Sequence, residues 1–226
     1  MKTKIFIFCL LIVTITACKK AELKKPTTLN VQFGINSNEN NANGVKFNSA
    51  ELTIQNFSIT GKRIEGDNID FNRVLDSPLD IDLDGQTNID ELKFDIPQGD
   101  YTELNIAFNS LSSSYYGKYK LSNGPSVDVV FELTNQHLFT ILCDDNNQTD
   151  LIQLDKNLER TVCVILNSKS WFNSISGVQL DDADLTIGNN GVGLGNSTIL
   201  INPSNNISLY NSIVENIALS NKASFK

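Results

Sequence analysis

Between Ile89 and Phe108 the pattern of side chains leaves little choice but two β-strands. Leu92, Phe94 and Ile96 alternate with Lys93 and Asp95. After Pro97-Gln98-Gly99-Asp100-Tyr101 the alternation resumes in Leu104, Ile106 and Phe108. A period of two places every apolar side chain on one face, so each run lays one face on a core and turns the other to water. Pro97 has no N–H to give to a ladder and Gly99 takes positive φ without steric cost, which predicts a reversal here, with the two strands folded back on one another as a hairpin. Tyr101, just past the corner, is placed to bury its ring while its hydroxyl bonds nearby backbone, as in the tyrosine corner of sandwich folds.

The same texture continues through most of the chain. Leu29, Val31, Phe33 and Ile35 alternate, and so do Val127, Val129, Phe131 and Leu133. From Phe47 to Ile59 the parity slips at Gln55-Asn56, which predicts a bulge. Ile69 to Leu75 reads as a short strand, and Pro78 opens another. Ser110 to Ser114 reads as a serine-rich loop and Ser122-Asn123-Gly124-Pro125 as a hairpin turn. Short apolar runs follow at Leu138–Leu142, Leu151–Leu154 and Thr161–Leu166. Short strands separated by frequent turns predict an all-β, antiparallel β-sandwich. After Asn167 the texture changes: Ser168–Ile175 reads as a short helix carrying Trp171 and Phe172. Tyr210, Ile213, Val214 and Ile217 stand at helical spacing after a cap at Ser204 or Asn205.

At the other end, Lys2 and Lys4 precede an apolar run from Ile5 to Ile15, too short for a permanent membrane span, and small residues lead to Cys18. Ile15-Thr16-Ala17-Cys18 resembles the bacterial lipobox. The resemblance implies removal of residues 1–17, a diacylglycerol on the sulfur of Cys18, and a further acyl chain such as palmitate on its new amino group; two or more chains anchor stably. The organisation expected is a signal peptide over 1–17, an acylated tether over 18–27, a sandwich over 28–167 and a C-terminal extension over 168–226 packed on it through the amphipathic helix. The formal charge is −8 and becomes more negative once Lys2 and Lys4 leave. That balance argues against nucleic acid, whose phosphates demand clustered Lys and Arg. Lys19 and Lys20, rather than an acidic run, follow the cysteine. This favours the periplasmic side of the outer membrane over surface export in lineages that use such a run, and leaves the side otherwise open.

Few residues point to chemistry. Asp80-Ile81-Asp82-Leu83-Asp84-Gly85, with Glu91 at the twelfth position, has calcium-loop spacing, which would put Asp80, Asp82, Asp84 and Glu91 around one cation. The competing reading is a strand whose Leu79, Ile81 and Leu83 fill a core while the aspartates face water. Pro78 before the run and the strand pattern after it favour this reading. Asp144-Asp145 with Asp150, and Asp181-Asp182 with Asp184, read as solvated turns. Cys143 and Cys163 are the two cysteines left after Cys9 departs and Cys18 is acylated. In an oxidising compartment they are candidates for a disulfide between neighbouring strands, or else buried free thiols. His137 is the single histidine. It reads as structural, and no nucleophile motif accompanies it. Gly191-Val192-Gly193-Leu194-Gly195 reads as a flexible loop. Tyr115, Tyr116, Tyr119 and Trp171 would make a carbohydrate platform if exposed together.

Four pieces of the sequence resemble bacterial lipoproteins of unknown function whose domain is a transthyretin-like or carboxypeptidase-regulatory-like sandwich. They are Ala50-Glu51-Leu52-Thr53-Ile54, Leu79-Asp80-Ile81-Asp82-Leu83 with Gly85, the Leu92–Ile106 stretch through Pro97-Gln98-Gly99-Asp100-Tyr101, and the lipobox. The resemblance spans about residues 28–110 and supports the strand reading of the aspartate run. The function expected is a non-catalytic binding or structural module of the cell envelope, without a cofactor, held to the membrane through Cys18 and contacting a protein or glycan. The alternative is a calcium-stabilised adhesion or glycan-binding surface module.

Overall fold

The computed structural model describes residues 25–35, 44–83, 89–144, 151–156, 158–187 and 197–225. The signal peptide, Cys18 and most of the tether, Asp84, Asp145, Asp150 and the Gly191–Gly195 run lie outside them. Twelve strands are described: β1 Pro26–Ile35, β2 Lys46–Arg63, β3 Ile69–Asp82, β4 Lys93–Pro97, β5 Gly99–Lys120, β6 Ser126–Leu133, β7 His137–Asp144, β8 Ile152–Leu154, β9 Glu159–Leu166, β10 Leu185–Ile187, β11 Ser197–Ile201 and β12 Lys222–Phe225. Three helices join them: α1 Ser168–Trp171, α2 Gly177–Asp181 and α3 Ile207–Ser220. None of the described helices is long and apolar enough to cross a membrane.

The fold is all-β and sandwich-like, built around β5. One edge of this strand pairs with β2 along nearly its whole length, from Tyr101 opposite Arg63 to Lys118 opposite Lys46. The other edge pairs in turn with β8, β7 and β6. β3 continues this layer beyond β2, and β11 and β10 continue it beyond β6. The second layer runs β12-β9-β1-β4. β7 joins the two: His137–Leu142 pair with β5, whereas Cys143 and Asp144 pair with β12. Phe57 stacks on Phe94 at 4.7 Å between ring centres, and Phe33 meets Phe108 edge-on at 5.0 Å, so these rings fill the space between the layers. At the open side, Arg73 of edge strand β3 donates from Nη1 to the Glu91 carbonyl at 2.8 Å and lies 4.5 Å over the Phe94 ring.

Beyond the second layer, the helices cover the other half of the long strands. Phe47, Tyr115 and Phe131 meet Trp171, Phe172 and Tyr210 there, with Tyr115 and Trp171 edge-on at 4.9 Å. Tyr210, Ile213 and Ile217 are buried on α3, as their spacing predicts.

Several expectations are corrected. β4 and β5 are not a hairpin: β4 pairs with β1 in one layer and β5 lies in the other, so Pro97-Gln98-Gly99 crosses between layers. Gly99 has φ 135°, which L side chains rarely adopt. The tyrosine corner is present, with the buried Tyr101 hydroxyl donating to the Pro97 carbonyl. Ser110–Ser114 is not a loop but part of β5; the register shifts there, and the Ser110 hydroxyl donates to the Ser112 carbonyl at 3.0 Å. β3 is a single strand through Pro78, which an edge strand tolerates. The slip at Gln55-Asn56 is a bulge, with register shifts against both neighbours between Ile54 and Asn56.

The sandwich is also not wholly antiparallel: β1–β9, β11–β6 and β12–β7 are parallel pairs. Residues 168–226 are no appendage either, since β10 and β11 extend the first layer and β12 sits between β7 and β9 in the second. The first strand begins at Pro26, inside the span expected to be tether, with the Gln98 N–H donating to the Lys25 carbonyl at 3.0 Å.

Candidate functional site

Alternation along four neighbouring strands builds the surface that stands out. Phe57 and Ile59 on β2, Ile106 and Phe108 on β5, and Phe139 and Ile141 on β7 are buried, so the residues between them face outward. Register then lines them up in three rows across β3, β2, β5 and β7. The first is Val74-Asn56-Asn109-Leu138, the second Asn72-Ser58-Ala107-Thr140 and the third Asp70-Thr60-Asn105-Leu142. One of these twelve side chains is charged. Val74 is 72% exposed and Leu138 and Leu142 are each 61% exposed, so apolar groups flank a field of amides and hydroxyls.

A cleft of about 210 Å³ opens on this face, lined by Asn56, Ser58, Asn72, Ala107, Asn109 and Leu138. Its floor is low because Ser58 and Ala107 are small. The Asn56 Oδ1 is shielded and accepts no hydrogen bond among the described residues. Asn56 sits at the bulge. An unsatisfied buried acceptor costs about 1–3 kcal/mol.

Further along the same outer face the character changes to acidic. Glu51 pairs with Asp82 on one side and Ser114 on the other, Glu132 stands opposite Ser114, and Asp80 stands opposite Thr53. Here lie two of the residues with calcium-loop spacing, Asp80 and Asp82; Asp84 is outside the described residues. Ile81 and Leu83 are buried, whereas Asp80 and Asp82 are exposed in extended backbone. The Thr53 hydroxyl donates to Asp80 Oδ1 at 2.7 Å. Glu91 belongs to a 3-10 turn, Asp90–Leu92, whose carbonyl is taken by Arg73. Among the described residues, no three His, Cys, Asp or Glu side chains are grouped to hold a metal ion.

The second acidic group is divided in its roles. Asp181 accepts from the Ser122 N–H at 3.0 Å, the Tyr119 hydroxyl at 3.1 Å and the Ser122 hydroxyl, and these bonds hold its carboxyl below the ordinary value. It clamps α2 to the β5–β6 turn. Asp182 and Asp184 line a cleft of about 470 Å³ beside the start of α3. There the Asn206 amide, in the left-handed region at φ 50°, pairs with Asp184 in both directions: its Oδ1 accepts from the Asp184 N–H at 2.9 Å and its Nδ2 donates to the Asp184 carbonyl at 3.0 Å.

Other candidate residues fall elsewhere. Cys143 and Cys163 are free. The bridge considered above is not formed, because β12 separates their strands: Cys143 pairs with Ala223 and Cys163 with Ser224. Strands two apart lie roughly 9.5 Å from each other, beyond the ~6.8 Å that a disulfide spans between Cα atoms. They also point to opposite faces. Cys143 lies in the core, where burial pushes its thiol up to about 12, while the Cys163 Sγ contacts Gln32 Oε1 at 3.7 Å. The aromatic platform is overturned, since Tyr115, Tyr119 and Trp171 are buried under the helices. His137 lies edge-on against Phe139 at 4.8 Å, half-buried, which lowers its imidazole from the usual value.

Sequence reasoning missed the neutral face. Its signal is a bulge asparagine, Asn56, and outward positions filled by Asn, Ser, Thr and Ala on strands whose order was not known. No protein-family model, curated protein or solved structure matches this chain.

Proposed function

We propose that this chain is a lipid-anchored lipoprotein of the cell envelope, held in the outer membrane through Cys18, and that it acts as a non-catalytic binding module. The neutral outer face of β3, β2, β5 and β7 is its docking surface. The observation that carries the docking reading is the run of uncharged outward side chains across four strands, with Val74, Leu138 and Leu142 exposed at its margins. The anchor reading rests on Ile15-Thr16-Ala17-Cys18. Seven residues separate Cys18 from Pro26, and over the eight steps between them, at roughly 3.5 Å each, the tether reaches no more than about 28 Å.

Two measurements on the full chain in a bacterial host test this. Metabolic labelling with an alkyne fatty acid should mark the wild type and the Cys163→Ser variant and leave Cys18→Ser unmarked; equal labelling of all three would refute the anchor. A photo-crosslinking residue at Thr140 should give an adduct in living cells that is absent when the same residue stands at Asn123, in the β5–β6 turn. No adduct at Thr140 would refute the docking surface.

A further inference from the structure

We infer that Asn123, in the β5–β6 turn, is a site of spontaneous deamidation, and that its conversion loosens the clamp which Asp181 makes between this turn and α2. The sequence sets the chemistry. Asn123 is followed by Gly124, which has no Cβ to crowd the peptide nitrogen that must reach the Asn123 Cγ. Two further Asn-Gly pairs, Asn43-Gly44 and Asn190-Gly191, lie partly or wholly outside the described residues.

The turn supplies the conditions. Asn123 is exposed, so water reaches its amide. The ladder between β5 and β6 ends at Lys120 opposite Ser126, which leaves Leu121–Pro125 outside it. The Gly124 N–H donates to the Leu121 carbonyl at 3.4 Å, beyond the roughly 2.7–3.2 Å of ordinary N–H···O bonds, so this nitrogen is lightly held. Lys120 Nζ donates to the Gly124 carbonyl at 2.6 Å and brings a positive charge into the turn, which favours the anion left when the nitrogen gives up its proton.

The step needs no oxidant or reductant. The deprotonated Gly124 nitrogen bonds to the Asn123 Cγ, the Cγ–Nδ2 bond breaks, and Nδ2 takes up a proton and leaves as ammonia. Water then opens the cyclic imide at either carbonyl, its hydroxyl going to the carbon and its proton to the nitrogen, and gives aspartate or isoaspartate. In isoaspartate the main chain runs through Cβ, so it gains a methylene next to Ser122, whose N–H and hydroxyl both donate to Asp181. Either product also adds a carboxylate to the cleft that Ser122, Asn123 and Asp181 line, where it repels the Asp181 carboxylate.

The test is peptide mapping by mass spectrometry on the protein purified in detergent from its bacterial host and aged in mildly acidic and mildly alkaline buffer. The same protein held unfolded in guanidinium chloride sets the time scale. The peptide carrying Asn123 should convert to a mixture of aspartate and isoaspartate, faster in alkali because the attacking nitrogen must lose its proton. Gly124→Ala puts a Cβ 3.1 Å from the Leu121 Cδ1 and 3.2 Å from its Cβ, contacts that a leucine side chain can relieve, and should slow the conversion severalfold. Asn123→Gln, whose longer side chain closes a less favourable ring, should abolish it.

The converted form, separated by anion exchange, should melt a few degrees below the unconverted one. In Asp181→Asn, where the clamp is already weakened, that difference should shrink. Asn123 remaining an amide in the folded protein after the unfolded chain has converted would overturn the site, as would Gly124→Ala converting as fast as wild type. Conversion without a change in melting temperature, or with the same change in Asp181→Asn, would overturn the effect on the clamp.

Discussion

Replacing Tyr101 with phenylalanine keeps the ring and removes one hydrogen bond, at the point where the chain crosses between layers. The ring is fully buried, and its hydroxyl donates to the Pro97 carbonyl. Opposite Pro97 stands Pro26, which has no N–H to offer in its place. The substitution therefore leaves a carbonyl short of a donor, a loss of about 1–3 kcal/mol. For a protein of this size that lowers the melting temperature by roughly 2–12 °C. Alkaline pH gives an independent check. Burial raises the Tyr101 hydroxyl from 10.0 to about 12, with the Arg63 guanidinium pulling the other way. The folded state thus holds this proton more tightly than the unfolded one. Its contribution to stability is complete below the unfolded value near pH 10 and is lost as pH rises towards 12. Two pH units at ~1.4 kcal/mol each make that loss on the order of 3 kcal/mol. Urea titrations of wild type and Tyr101→Phe at pH 7 and across pH 9–12 read both quantities. The wild type should lose its advantage over the variant in the alkaline range. A variant within about 0.5 kcal/mol of wild type at pH 7, falling equally steeply in alkali, would refute the assignment of the corner to this hydroxyl.

Three further outcomes are expected. Trp171→Ala should cost about 3–5 kcal/mol in urea unfolding, because it empties the space against Tyr115 and Phe131. Gly117→Ala places a Cβ 2.5 Å from the Lys46 carbonyl oxygen and 3.0 Å from the Phe47 Cα, both backbone atoms, so β2 must shift away from β5, at a cost of about 1–3 kcal/mol or more by the same measurement. Asp181→Asn should lower the melting temperature at neutral pH. Because the Asp181 carboxyl is held below its ordinary value, its contribution is present above pH 3.8 and lost as pH falls through the depressed value, so wild type and variant should converge in acid.

How far the fold was legible depended on whether the cue was local. The bulge at Gln55-Asn56, the corner at Tyr101 and the buried stripe of Tyr210, Ile213 and Ile217 are set by neighbours within a few residues, and the sequence pattern locates each. Ser110–Ser114 misled because serine is common in loops. Here Ser110 and Ser113 are buried, where the bulge leaves room for small polar side chains inside a continuous strand. The pairing of strands was the least legible. Alternation says that Leu92–Ile96 has a core face, not that its neighbour is β1 rather than β5. The parallel partnership of β1 and β9 joins residues as far apart as Thr28 and Glu159. The candidate face was hidden for the same reason. Asn56, Asn72, Asn109 and Leu138 are unremarkable in sequence and meet only once register is fixed.

The place of β12 bears on the order in which the second layer can close. β7 and β9 cannot take up their final spacing until Ala223 and Ser224 arrive between them, although both strands are made much earlier. A chain made from its amino end therefore holds two unpaired edges until β12 is made. Such edges invite pairing with other chains, and pairings so distant in sequence form slowly. The arrival of Ala223 and Ser224 between them removes both edges at once.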